Sequence, residues 1–152
     1  MNNTELVTKF YTAFQQKDYK TMQELYADQA VFNDAVFIDL SSKEVRAMWQ
    51  MLLTRGKDLT LEFKDIWSEG NKAGATWIAT YTFSGTGNKV TNHIKAVFEI
   101  EAGKIVKHTD SFSFYKWARQ ALGIPGLLLG WSSVLKNKVQ RTAKENLQGF
   151  MK

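Results

Sequence analysis

The hydrophobic period of this chain changes at Gly56, and that change narrows the folds open to it. Before Gly56 apolar residues recur at helical spacing. After it, four runs alternate with a period of two, over residues 59–68, 73–84, 89–101 and 104–115. They are separated by Glu69-Gly70-Asn71, Gly85-Thr86-Gly87-Asn88 and Ala102-Gly103, short turns of the kind that join consecutive strands into an antiparallel meander. Ahead of the meander, Thr4 is placed to cap a helix bearing Val7, Phe10, Tyr11 and Phe14, and Asp18 to cap a short one bearing Met22, Leu25 and Tyr26. Ser41 and Glu44 have capping-box spacing before Val45, Met48, Trp49, Leu52 and Leu53, with Gly56 at the C-cap. Residues 30–38, between the second and third helices, fit a short strand. Past the meander the chain turns helical again, interrupted at Gly123-Ile124-Pro125-Gly126. Leu127, Trp131, Val134, Leu135, Val139, Ala143, Leu147 and Phe150 then form the apolar stripe of an amphipathic helix. Helices at both ends of an antiparallel sheet make an α+β domain.

At 152 residues, 44% hydrophobic and 23% charged, the chain has the size and composition of one folded domain, which excludes wholesale disorder. Cysteine is absent, so disulfides, thiol nucleophiles and thiolate metal sites are excluded. With only His93 and His108, and no third ligand spaced to join His108 and Asp110, no metal site is expected, nor any cofactor. No run of about 18 apolar residues occurs, and the N-terminus lacks the layout of a secretory signal, so a soluble, cytoplasmic protein is expected. The net charge of +5 is concentrated at one end, with +6 from Lys116 onward and −1 before it. No nucleic-acid motif accompanies that charge, and a solvated helix face is expected instead of a nucleic-acid partner. The segment Leu127-Leu128-Leu129-Gly130-Trp131 and the basic face after it suit a lid, a dimer contact or an interfacial helix. Packing is expected over membrane-surface contact, since an amphipathic stripe normally packs on its own domain.

The residues that stand out are His108 and Asp110. Alternation puts them on one strand face with Val106, Phe112 and Phe114, otherwise the apolar side. A carboxylate on a core face is costly unless paired, hydrogen-bonded or set in a cavity, and two strand positions of separation let the imidazole reach it. The pair therefore reads either as an acid/base couple in a pocket or as a packing device held by hydrogen bonds. Asp34, sharing a face with Phe32, and Asn92, at the start of the Ile94–Ala96–Phe98 face, are the other polar intruders. Trp49, Trp77, Phe98 and Phe112 would supply walls, and Tyr81 a hydroxyl. His93 falls on the opposite, polar face with Lys95 and Glu99.

Three early helices, Phe32-Asn33-Asp34, the meander, Gly103-Lys104-Ile105 in its last turn and His108-Thr109-Asp110 together resemble the nuclear transport factor 2-like superfamily, in its SnoaL-like, polyketide cyclase-like branch. The resemblance spans about residues 3–121. It implies a cone-shaped fold whose curved sheet wraps a hydrophobic pocket, commonly in a homodimer, with residues 122–152 as a C-terminal helical extension. It also implies either a cofactor-independent isomerase, cyclase or dehydratase acting on a hydrophobic carbonyl compound, or a non-catalytic binder of an apolar ligand. In the catalytic case Asp110 is the base, His108 its partner, and Asp34 a pocket residue at the end of the first strand. Ala35 stands where the family often has proline, and the tail beyond Leu127 has no family counterpart.

Overall fold

The computed structural model describes all 152 residues. Helices α1 (Asn3–Gln15) and α2 (Tyr19–Glu24) come first, then strands β1 (Tyr26–Asn33) and β2 (Leu40–Ser41), then helix α3 (Ser42–Arg55). The meander follows as β3 (Thr60–Glu69), β4 (Lys72–Thr82), β5 (Lys89–Glu101) and β6 (Lys104–Ser111), and the chain ends in α4 (Phe114–Leu122), α5 (Ile124–Leu129) and α6 (Ser133–Met151). The six strands form one curved, unclosed sheet in the order β2-β1-β6-β5-β4-β3. Every pairing is antiparallel except β1 with β6, which run parallel. Parallel neighbours need a long crossover, and here everything from β2 to β5 serves as that crossover.

Capping chemistry sets the early helix ends. Ser41 and Glu44 form the reciprocal capping box, and Gly56 closes α3. Asp18 caps α2 by accepting from the Thr21 N–H. The first cap is Asn2 and not Thr4: its side chain accepts from the Glu5 N–H, while the Thr4 hydroxyl donates to the same oxygen. Tyr26 is no helix residue either. The Leu25 carbonyl accepts from the Ile105 N–H, and Tyr26 opens the β1–β6 ladder opposite Ile105. The first strand thus starts earlier than residue 30 and ends at Asn33.

Two features of β6 depart from simple alternation. Ile100 pairs with Ile105 but Glu99 pairs with Lys107, so one extra residue, Val106, is inserted as a bulge. The bulge puts Ile105, His108 and Asp110 on the buried face and leaves Val106 half-exposed, correcting its assignment to the interior. The strand also stops at Ser111 instead of running to 115. The Ser113 hydroxyl accepts from the Lys116 N–H and starts α4, so Phe114 packs from a helix.

The core lies between the concave face of the sheet and α1–α3. It holds Leu6, Phe10, Tyr11, Phe14, Met22, Trp49, Trp77, Phe98 and Ile105. A smaller cluster joins α4 to β5 through Val90, Phe114, Trp117, Ala118 and Ala121. The predicted tail stripe is split. Leu147 is buried, and Ala143, Phe150 and Met151 pack on the main core, while Val139 packs on the smaller cluster. The Gln140 amide donates to the Ala35 carbonyl at 3.0 Å, and the Arg55 guanidinium lies over the Phe150 ring. Leu127, Trp131 and Val134, expected on the packed stripe, are exposed.

Candidate functional site

Register builds the site before any side chain is considered. On β6, His108 sits between Phe32 of β1 and Phe98 of β5, and Asp110 sits beside Ala96 of β5. The imidazole is consequently boxed by rings: Phe98 at 4.1 Å between centroids, Phe32 at 4.9 Å, Phe10 at 5.7 Å, Tyr26 at 6.1 Å and Trp49 at 6.3 Å. His108 has no exposed surface and Asp110 is 4% exposed. The oily hollow expected in front of this pair is, at His108, filled with aromatic side chains.

Both ring nitrogens are engaged. Trp49 Nε1 lies 2.9 Å from Tyr26 Oη, Tyr26 Oη lies 2.7 Å from His108 Nδ1, and His108 Nε2 lies 2.8 Å from Asp110 Oδ1. Donor counting assigns the direction. An indole only donates, so Tyr26 Oη accepts from Trp49, and its own proton goes to Nδ1. The imidazole then carries its proton on Nε2 and donates it to Asp110. Burial pushes the Tyr26 hydroxyl pKa well above its ordinary value, with the indole contact opposing and the Asp110 charge adding to it, so the phenol stays a donor. The result is a four-residue chain in which each hydrogen bond orients the next and the last one holds a carboxylate.

Asp34 stands at the end of β1. Its Oδ1 accepts from the Val36 and Phe37 N–H groups at 2.7 and 2.6 Å, closing the turn before β2. Burial raises its pKa from 3.8 to about 6 against those two bonds, and it also feels the charges of Asp110, which raises it, and of His108, which lowers it. Burial likewise raises the Tyr81 pKa, with the Trp117 bond opposing and the Asp34 charge adding. Asp34, Asp110, His108 and Tyr81 therefore share one electrostatic neighbourhood. Tyr81 is half-buried and accepts from Trp117 Nε1 of α4 at 2.7 Å, leaving its own proton free to donate.

Of the remaining expected residues, Asn92 is 8% exposed on the buried face of β5. Trp49 and Phe98 belong to the box around His108. Trp77 is buried with Nε1 unpaired, and Phe112 is half-buried where the two hydrophobic clusters meet. His93 is exposed. Reading the sequence missed Tyr11, Tyr26 and Trp117. Tyr11 Oη is buried without a partner, and burial together with the Asp110 charge raises its pKa well above the ordinary value. A signal was present: Tyr11 lies between Phe10 and Phe14 on a core stripe, where a hydroxyl must find a partner.

Two open surface grooves, of about 480 and 530 Å³, lie along α1–α2 and beside Glu24, Arg46 and Lys104; neither is lined by His108 or Asp110. No group of acidic, histidine or cysteine side chains is arranged to hold a metal ion. No helix is long and apolar enough to cross a membrane.

Among solved structures, the chain is similar to IdmH, a proposed polyketide cyclase from Streptomyces antibioticus, at 20% identity and a TM-score of 0.65, over 81% of this chain and 100% of that one. A nuclear transport factor 2-like protein of unknown function from Cytophaga hutchinsonii aligns at 15% identity and a TM-score of 0.60, over 74% and 91% of the two chains. An LEH-like epoxide hydrolase of M. tuberculosis aligns at 20% identity and a TM-score of 0.62, over 86% and 92%. At such identities the likeness is one of fold. No curated protein sequence matches the chain. The SnoaL-like domain model matches residues 7–108, more than half of the 152, and stops two residues short of Asp110. With that match and the curved sheet under three helices, the chain belongs to the SnoaL-like domain family and has the nuclear transport factor 2-like fold.

Proposed function

We propose that the protein is a small-molecule enzyme of the proton-transfer type, acting on a hydrophobic carbonyl compound as an isomerase, cyclase or dehydratase, with Asp110 as general base. The observation that carries this reading is the directed chain Trp49–Tyr26–His108–Asp110 in an aromatic core. A hydrogen-bond chain of this kind orients a carboxylate at the cost of placing four polar groups in an apolar interior. His108 has no free ring nitrogen and therefore acts as a positioning residue. Asp110 removes a proton beside the carbonyl with the oxygen that His108 leaves free.

The developing enolate oxygen needs a donor; a placed base is worth on the order of 10²–10⁴ in rate and a placed donor on the order of 10²–10³. Tyr81, with its proton free, and Asn92, buried on β5 beside Tyr81's strand, fit that role as the sequence suggested; Tyr11 joins them because its orphaned hydroxyl senses Asp110. Since the Asp110 side chain is only 3% exposed, substrate entry requires a cover to move. Helices α4–α6 are that cover, fastened by the Trp117–Tyr81 and Gln140–Ala35 bonds. The description of IdmH as a proposed polyketide cyclase and of another fold relative as an epoxide hydrolase is consistent with an enzyme on this fold. A homodimer, as the resemblance implies, belongs to the same proposal.

The test is deuterium incorporation from D₂O into the carbon next to the carbonyl, across a panel of hydrophobic ketones and diketones, read by mass spectrometry. Wild type is expected to exchange at least one of them, and Asp110→Asn to lose about 10²-fold or more while its circular dichroism is unchanged. Equal exchange by wild type and Asp110→Asn rejects the base. The near-complete enclosure of Asp110 favours a second reading, a binder that releases nothing. An apolar molecule that co-purifies in native mass spectra and leaves chemically unaltered, with no exchange in the panel, would select it.

A further inference from the structure

Helix α5 is packed inside out. In most surface helices glycine faces solvent and leucine faces the core. Here Gly126 is buried so tightly against α4 that a Cβ would overlap the Ala118 carbonyl, and a Cβ on Gly130 would press on Ala118 and the Tyr115 ring. With the glycines turned inward, the large side chains point out: Ile124 is 72% exposed, Leu128 62%, Leu129 51% and Leu127 48%. The following turn adds Trp131 at 76% and Val134 at 78%. Six large apolar side chains thus project from eleven consecutive residues, while the later turns of α6 are docked on the core.

The surrounding charge is of one sign. From Ser111 to Lys144 there is no Asp or Glu, while Lys116, Arg119, Lys136, Lys138, Arg141 and Lys144 flank the apolar knob on both sides in sequence. A second copy docking through the same patch would bring two such cationic rims together, which charge opposes. A leucine- and tryptophan-bearing knob within a cationic border complements an anionic bilayer, into whose headgroup boundary apolar side chains insert while Lys and Arg meet the lipid charge. No helix is long and apolar enough to span. We infer that residues 124–134 are a membrane-surface anchor, seating the domain on anionic lipid by shallow insertion of Leu127, Leu128, Leu129 and Trp131. This inference is independent of the reaction proposed for Asp110.

The experiment is co-sedimentation of the full chain with phosphatidylcholine vesicles with or without roughly 30 mol % phosphatidylglycerol. Binding is expected to the anionic vesicles, to fall as salt is raised, and to weaken about tenfold or more on removing phosphatidylglycerol. The variant Leu128→Ser/Trp131→Ser, at exposed positions that leave the fold intact, is expected to lose binding by at least about tenfold. Lys136→Gln/Lys138→Gln/Arg141→Gln is expected to lose the preference for anionic lipid. No sedimentation with anionic vesicles, or equal sedimentation by the Ser variant, overturns the inference. So does light scattering that shows self-association abolished by the Ser variant, which would make a second copy the occupant.

Discussion

The surroundings of His108 and the segment 124–134 break the usual partition of polar and apolar groups in opposite directions. At His108, an imidazole, a phenol, an indole N–H and a carboxylate are placed inside an aromatic core, and each is hydrogen-bonded to the next. In the segment 124–134, six apolar side chains are placed outside. The first anomaly is self-satisfied: its polar groups need nothing from outside to be stable. The second is unsatisfied, and its apolar surface gains only from something not in this chain. An internally satisfied anomaly fits chemistry within the fold, and an unsatisfied one fits contact beyond it.

The sharpest way to break this contrast is at His108. Replacing it with Phe leaves Asp110 enclosed without its donor, which is expected to cost about 3–5 kcal/mol. A urea titration of His108→Phe would read this as a lowered midpoint. His108→Phe/Asp110→Leu, which removes both polar groups, is expected to recover most of the loss; a double variant as unstable as the single one would show that the two are not coupled. Tyr26→Phe orphans Trp49 Nε1 and His108 Nδ1 together and is expected to cost about 2–3 kcal/mol, measurable in the same titration. A cost under about 0.5 kcal/mol would show the chain to be less closely joined than its distances indicate.

Asp34 tests the electrostatic side. Its pKa is raised from 3.8 to about 6 in the fold, so the native state holds the proton more tightly than the unfolded chain. Its contribution to stability is therefore most favourable below about pH 4 and is lost as pH rises through 6, by about 2–3 kcal/mol. Asp34→Asn keeps an oxygen for the Val36 and Phe37 N–H groups. It is expected to be more stable than wild type by about 2 kcal/mol at pH 7, with the gain vanishing near pH 4. A gain independent of pH would argue against burial as the cause. The smallest effect belongs to the exposed segment: Leu128→Ser/Trp131→Ser is expected to change unfolding stability by less than about 0.5 kcal/mol, checked by thermal melting, since neither side chain is buried.

Much of the fold could be read from the residues because local rules and tertiary structure agree there. Ser41–Glu44, Asp18 and Gly56 end helices where capping chemistry says they should, and the Ile94–Ala96–Phe98–Ile100 face is the buried one. Of three failures, a long-range partner settled two and a local cap the third. Tyr26 left its helix because the β6 backbone offered it a ladder; Val106 left its face because β5 and β6 differ by one residue; Phe114 left its strand because Ser113 could cap a helix. At the site, the His108–Asp110 pairing was legible, since spacing of two on a strand is a local property. The Tyr26 and Trp49 portion was not, since it joins elements 82 and 23 residues apart. The turn Gly85–Asn88, read only as a strand connection, also ties the fold together: Thr86 and Asn88 both donate to the Ala121 carbonyl and hold the end of α4.

The bulge at Val106 has a consequence for how this scaffold could change over time. One additional residue in β6 is taken up locally at Val106, so the imidazole and carboxylate still face inward while Lys107 and Ser111 face water. Because Ile105 and His108 both face inward on either side of Val106, losing that single residue would leave an unbroken ladder with the same pairings and the same inward set. The scaffold can therefore shed or keep this residue and still hold the imidazole and the carboxylate inside, with the helices, the caps and the remaining strands untouched.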